Sequence, residues 1–341
     1  MRVTSNLVVS SMLSGVIATV SLLSAQPVKA ETELLINNYL SPKHPFQIGI
    51  MGPWIKDVIA ATNGSVKPKQ SAAKVGPPPK NWQVVTKGLA DVVMLANLFQ
   101  PKRIQLPKVS EIPLNSPSAQ KTSVALWKTH QKYFKKANEF KGAKLVGLFV
   151  VSPNMLHSRK KPIKSIADLK GFKLRAAPGV TTRVLKAAGA VPVASGPSKI
   201  FGLVSKGVVD GLAVPGIGLR AFRILPYIKH TTVIPGGLAT TSFSVIINQK
   251  KWDGLSKTEQ SQVMKVSGLV ISNNAKKVDQ MSMGSLKALE KAGGKVLTAD
   301  AAFVDAIRKI SAGDEAKWLK TANGKGVDGK AAMAYFKSQL K

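Results

Sequence analysis

Residues 162–179 read PIKSIADLKGFKLRAAPG, and residues 203–211 read LVSKGVVDG. Ser165 followed three positions later by Asp168 makes a capping-box-like pair, and Gly171 closes the single turn it opens. Residues 172–177 then predict a strand, 181–188 a helix, 191–194 a strand, 198–206 a helix and 208–214 a strand. That alternation implies a parallel sheet with helices packed against it.

The same logic appears upstream. Residues 32–37 (TELLIN) predict a strand. Residues 49–62 predict a helix, because Ile50, Trp54, Ile55, Val58 and Ile59 fall at helical spacing. Asn63-Gly64 ends it, since both residues tolerate positive φ at a helix C-terminus. Residues 65–70 are a second strand, 82–88 a helix and 90–95 (ADVVML) a buried strand. Residues 123–140 predict an amphipathic helix, and 144–151 and 243–248 predict strands. Ser256 and Glu259 cap a helical pattern that runs with few breaks from Thr258 to about Ala292, long enough to bridge two bodies. Two separate β-α-β units on a chain of this length imply two α/β lobes.

The N-terminus reads as a secretory signal. Arg2 is followed by an uncharged apolar run from Leu7 to Leu23, and Val28-Lys29-Ala30 supplies a small-x-small cleavage pattern. Cleavage is expected after Ala30, leaving residues 31–341. The chain has no cysteine, which excludes disulfides, thiol nucleophiles and cysteine-based metal sites. Net charge is +33, from 50 basic and 17 acidic residues, and only eight of the basic residues are arginine. Nucleic-acid readers favour arginine forks and stacked aromatics, whereas aromatics are 6% here, so no specific nucleic-acid partner is expected. The charge reads as a solvated surface that also steers anions.

Enzyme chemistry finds no support. His44, His130, His157 and His230 include no pair at helical ligand spacing, and no HExxH, GxSxG or Walker A pattern occurs. No nucleophile–base pair can be proposed, so neither catalytic activity, a metal nor a cofactor is expected.

The ADLKGFKLRAAP stretch, then Gly189-Ala190-Val191-Pro192, then Gly207-Val208-Val209-Asp210-Gly211, resembles the DctP-type solute-binding proteins of TRAP (tripartite ATP-independent periplasmic) transporters. Thr62-Asn63-Gly64, Lys87–Val92 and Trp252–Ser256 extend the likeness over nearly all of the chain after residue 30. The resemblance implies a two-lobed periplasmic-binding-protein-like fold with crossing strands and a long helix bridging both lobes. It implies a small organic anion as ligand, a small and a large integral membrane subunit as partners, and a periplasmic location. Lobe I is expected to hold residues 31–152 and 241–280, and lobe II residues 153–240 and 281–341.

The resemblance also implies that Arg175 is the main carboxylate anchor. Independently, Arg175 lies near the C-terminal end of a parallel strand, where ligands of open α/β sheets bind, and a guanidinium offers a carboxylate two parallel hydrogen bonds. Other expected substrate-binding residues are Met155, Val214, Phe243, His44, Asn97 and Phe201. Many sialic-acid and dicarboxylate members carry a second arginine where this chain has Met155, with Arg159 nearby but offset, and an asparagine where it has Val214. Both departures remove polar partners. With Phe201 and Phe243 they favour a monocarboxylate with an apolar or aromatic body. A solute receptor of another transporter class, or an exported basic protein binding nucleic acid or anionic surfaces, are the competing readings.

Overall fold

The computed structural model describes Met1 and residues 31–341, so the expected signal segment and its cleavage point lie outside the described residues. Strands β1 (Thr32–Ile36), β2 (Val66–Gln70), β3 (Val92–Ala96) and β4 (Ala143–Val150) belong to a first sheet. Strands β5 (Met155–Ser158), β6 (Lys173–Ala176), β7 (Val191–Ala194), β8 (Gly211–Val214) and β9 (His230–Val233) follow in a second. Then β10 (Ser242–Asn248) returns to the first sheet and β11 (Lys295–Thr298) to the second. The orders are β2-β1-β3-β10-β4 and β11-β9-β5-β8-β6-β7. As the alternating pattern requires, β1 is parallel to β2 and β3, and β6 to β7 and β8. β10 is antiparallel to both its neighbours, wedged between β3 and β4.

Local signals hold well. The helix Gly52–Ala61 ends at Asn63 and Gly64, both with positive φ (48° and 78°). The capping boxes at Ser165/Asp168 and Ser256/Glu259 are both formed. Three strands were not expected. These are β5, β9 and β11, of four residues each.

The long helix expected from Thr258 is broken. It forms as Lys257–Lys265 and Leu269–Lys291, separated at Gly268, which has φ +51°. The Trp127 ring packs on this glycine so closely that a Cβ would lie 2.4 Å from it, and the Gly268 N–H donates to Val146 O (2.6 Å). Tertiary packing overrides the helical period here. The 123–140 helix likewise begins earlier, at Ala119 with Ser118 as N-cap, and changes to a π-turn over His130–Phe134.

Two crossings link the sheets. Residues 151–154 lead from β4 to β5, and residues 234–241 lead from β9 to β10. They run side by side: Val151 N donates to Thr241 O (3.2 Å), Asn154 N to Ala239 O (2.8 Å) and Thr240 Oγ1 to Val151 O (2.6 Å). The helix Leu269–Lys291 spans both lobes. Near its start Ser272 donates to Leu148 O (2.7 Å), and farther along Ser282 Oγ accepts from Ile217 N (3.2 Å). Between them Asp279 accepts from Ala119 N, Gln120 N and the crossing residue Ser152 (2.8, 3.0 and 2.8 Å).

The assignment of 281–341 as a block to lobe II needs correction. β11 and the first half of the helix Ala301–Gly324 (Phe303, Ile307) do pack with the second sheet. Trp318 and Ala322 in its second half, with Met333 and Phe336 of the helix Gly329–Ser338, join the first lobe's core beside Trp127 and Phe134. A 24-residue helix is about 36 Å long, enough to serve both cores, and its continuous period hides the change of partner.

Candidate functional site

The strand ends converge on the crossings. β4 ends at Val150, opposite Ser242, the residue that opens β10 immediately after the second crossing. Phe243 is next, opposite Ala96 at the end of β3. Across the four-residue linker, Met155 opens β5 directly opposite Val214, which ends β8. The carboxyl edges of the parallel strands in both sheets therefore flank the hinge, where open α/β sheets bind ligands.

Arg175 lies on β6, next to β8. Leu174 and Ala176 face the core shared with Phe303, so by strand alternation Arg175 faces the opposite side, which carries Leu212, Val214 and Met155. It is 3% exposed. Its Nε donates to Ser195 Oγ (3.3 Å) and its Nη2 to the Ser195 carbonyl, which aims the guanidinium from the loop after β7. Among the described residues no carboxylate forms an ion pair with it, so the surface-acid pairing that would make it a structural residue is not found. Burial lowers its pKa to about 10, leaving it charged at neutral pH. A buried cation without a counter-ion costs several kcal/mol, on the order of the figure for one desolvated ion. An incoming anion would offset that cost.

Lobe I contributes an aromatic wall. Phe243 stacks on Phe149 (centroids 5.1 Å) and meets Phe46 edge-on (5.2 Å), which also meets Phe149 (5.7 Å). His44 meets Phe46 edge-on at 4.8 Å. Its Nδ1 accepts from Phe46 N (3.1 Å), which leaves the proton of the neutral ring on Nε2. Burial lowers the His44 pKa to about 4, so at neutral pH this ring is an uncharged donor.

The remaining expected residues divide. Met155 and Val214 are brought into direct cross-strand contact on the Arg175 face. His157, two residues on, pins this edge: its Nε2 donates to Val214 O (3.1 Å), and its Nδ1 accepts from Thr231 Oγ1 (2.8 Å). Asn97 is fully buried and bonded to Ser242 Oγ (2.9 Å) and Ser244 Oγ (2.7 Å), on the face of β10 opposite Phe243. It braces the sheet edge there, together with buried Glu111, whose Oε1 accepts from Ser242 N and Oγ (3.0 and 2.6 Å). Phe201 is 47% exposed and meets Tyr227 edge-on with ring centroids 6.2 Å apart. Arg159 follows the far end of β5, four residues or about 13 Å from Met155, with Nη1 on Val209 O (3.1 Å); it does not stand in for a second site arginine. Phe46, Phe149 and Ser195 were not expected; only the fold brings them to these edges.

Two surface hollows lie elsewhere, one around Asp91, Lys87 and Lys251, the other around Asp279, Lys276 and Lys287. Asp91 is occupied by Leu35 N (2.8 Å) and Lys251 (3.6 Å), and neither hollow presents a buried unpaired cation. Among the described residues no group of three or more His, Asp or Glu could hold a metal ion, and no helix is long and apolar enough to cross a membrane.

The family model of bacterial extracellular solute-binding proteins, family 7 (DctP), matches residues 36–318. A TRAP periplasmic solute-binding protein of Bordetella bronchiseptica, crystallised with bound (R)- and (S)-mandelate, is 34% identical, with a TM-score of 0.85 over 91% of this chain and 98% of that one. A marine-metagenome TRAP solute-binding protein specific for aromatic acid ligands, in complex with metahydroxyphenylacetate, is 28% identical, with a TM-score of 0.81 over 91% and 98% of the chains. A protein of Comamonas testosteroni described as the outer membrane transporter protein TsaT is 29% identical over 327 residues, 95% of this chain and 97% of its own length.

Proposed function

The chain belongs to the bacterial extracellular solute-binding proteins of family 7, the DctP family, and from that premise we propose that it captures an aromatic or otherwise apolar monocarboxylate between its lobes and delivers it to TRAP membrane subunits. The observation that carries the reading is Arg175: buried, charged, aimed by Ser195 and without a carboxylate partner. The ligand's carboxylate supplies the missing counter-ion through two charge-assisted hydrogen bonds. Met155 and Val214 line the same face with hydrocarbon, and Phe46 and Phe243, backed by the fully buried Phe149, offer an apolar wall from the other lobe. Apart from one donor on His44, a second carboxylate or a sugar's hydroxyls would meet hydrocarbon there, at a cost of about 1–3 kcal/mol per unmet group. The His44 Nε2–H is one further donor, suited to a single hydroxyl or the second carboxylate oxygen. That the Bordetella and metagenome relatives hold mandelate and metahydroxyphenylacetate supports the same ligand class.

Closure about residues 151–154 and 234–241 buries the acid, and the closed form docks on a small and a large membrane subunit. Residues 1–30 direct export to the periplasm, and the protein itself catalyses nothing. The test is mass spectrometry of ligand released from natively purified protein, followed by calorimetric titration with mandelate, benzoate and C4-dicarboxylates. Tight binding of an aromatic monocarboxylate is the expected result. Binding of dicarboxylates alone would overturn the apolar reading, while leaving the Arg175 anchor to be judged separately.

A further inference from the structure

Charge is not spread evenly over this surface. Residues 119–141 hold six lysines and one glutamate, and residues 325–341 hold four lysines and one aspartate. Together they carry +8 in 40 residues, about twice the density of the whole chain at +33 in 341. The fold joins the two segments. The C-terminal helix Gly329–Ser338 lies against the helix Ala119–Thr129 and its π-turn: Lys128 Nζ donates to Gln339 Oε1 (2.9 Å), and Tyr133 and Tyr335 meet with ring centroids 5.6 Å apart. Lys132 Nζ caps that pair, 4.4 Å from the Tyr335 ring and 5.4 Å from Tyr133.

The spacing makes this a face. Lys121 and Lys128 share one stripe of the helix Ala119–Thr129, Lys132 follows on the π-turn and Lys135 on the short turn after it, and all four are exposed. On the neighbouring helix Lys330 and Lys337 lie seven apart, with Lys341 just beyond its end; all three are exposed, and Lys337 pairs with Glu315 of the helix Ala301–Gly324 (2.6 Å). The acids here are largely spent. Glu139 is buried against Lys325 (3.1 Å) and Leu106 N, and Asp328 caps the last helix. None of the eight arginines lies in either segment. A field of flexible lysine point charges without a guanidinium fork suits a fluid array of phosphates better than one fixed carboxylate geometry. Two half-buried tyrosines at its centre are amphipathic rings of the kind that settle at headgroup depth.

We propose that this lysine–tyrosine face of lobe I binds the anionic lipid surface of the membrane, holding the carrier where it unloads. The inference rests on the charge and geometry of this face and is independent of the carboxylate reading. An acidic protein partner is the rival occupant, and vesicles without any protein separate the two.

The experiment is co-sedimentation of the full-length processed protein with vesicles containing roughly 30 mol% phosphatidylglycerol, and with phosphatidylcholine vesicles, at about 0.1 M salt. Binding to the anionic vesicles only is expected. A variant with Lys121, Lys128, Lys132 and Lys135 changed to glutamine should lose binding about tenfold or more. A variant of equal net charge, with Lys164, Lys170, Lys186 and Lys199 changed to glutamine on lobe II, should lose less than about threefold. Both should retain the parent's unfolding midpoint and solute affinity. No binding to anionic vesicles at that salt overturns the proposal, and so does equal loss in the two variants, which would make the effect one of net charge alone.

Discussion

Replacing Arg175 should push two measurable quantities in opposite directions. On the proposed reading, its guanidinium would make two charge-assisted hydrogen bonds with the ligand carboxylate, from a side chain only 3% exposed. Removing one partner of such a buried charged pair costs about 3–5 kcal/mol, roughly a hundred- to several-thousand-fold in Kd. Without ligand the same group is a liability, because a desolvated cation faces no acid. Arg175→Met fills similar volume with an apolar side chain. It gives up the bonds to Ser195 but removes the buried charge, and replacing buried ionic groups by apolar ones is often neutral or stabilising by about 1–4 kcal/mol. The expected pair of results is a ligand-free unfolding midpoint equal to or above the parent's and the near-disappearance of calorimetric binding to mandelate or benzoate. Arg175→Lys keeps the charge and loses the fork, so its affinity should fall between the two. A ligand-free protein destabilised by several kcal/mol, with Kd within about threefold of the parent, would refute the reasoning. Arg175 would then be a strut for the Ser195 loop.

Phe243→Ala opens the aromatic wall beside Phe46 and Phe149; binding of aromatic acids should weaken about 10- to 100-fold by calorimetry, while a short aliphatic acid loses much less. Gly268→Ala combines a positive φ with a Cβ 2.4 Å from the Trp127 ring, so it should destabilise the chain by about 2–4 kcal/mol in urea unfolding, with little change in Kd. Acid should also weaken the fold. Burial holds His157 and His130 at a pKa of about 4, against about 6.5 when unfolded. Below pH 6.5 the unfolded chain takes up protons that the folded chain refuses, so their contribution, complete above that pH, is lost as pH falls toward 4. The loss is roughly 3 kcal/mol per histidine. Urea midpoints measured from pH 7 to pH 4 should fall accordingly, and His130→Leu should flatten part of the slope.

What the sequence discloses about this molecule follows from the range of each interaction. The capping boxes at Ser165 and Ser256 and the Asn63-Gly64 stop are decided within four residues, and the structure forms all three. The break at Gly268 is decided by Trp127, 141 positions away, and the helical period carries no trace of it. The same holds for Phe46 and Phe149, which become one wall with Phe243 only through the antiparallel register of β10. Phe201 shows the converse error, since an aromatic residue in a suggestive segment faces solvent when the element turns it outward. The specificity argument gains most from register. Met155 and Val214, 59 positions apart, each stand where the resemblance places a polar side chain in many dicarboxylate and sialic-acid members. In the fold they are a directly opposed pair, beside the strand that carries Arg175. Two departures that look independent along the chain are therefore one change in space. An arginine at either position of such a pair would face hydrocarbon across the strand and have only the ligand as a polar partner. Apolar residues at both leave a continuous hydrocarbon surface next to a single cation, which is the chemistry of a monocarboxylate with an apolar body.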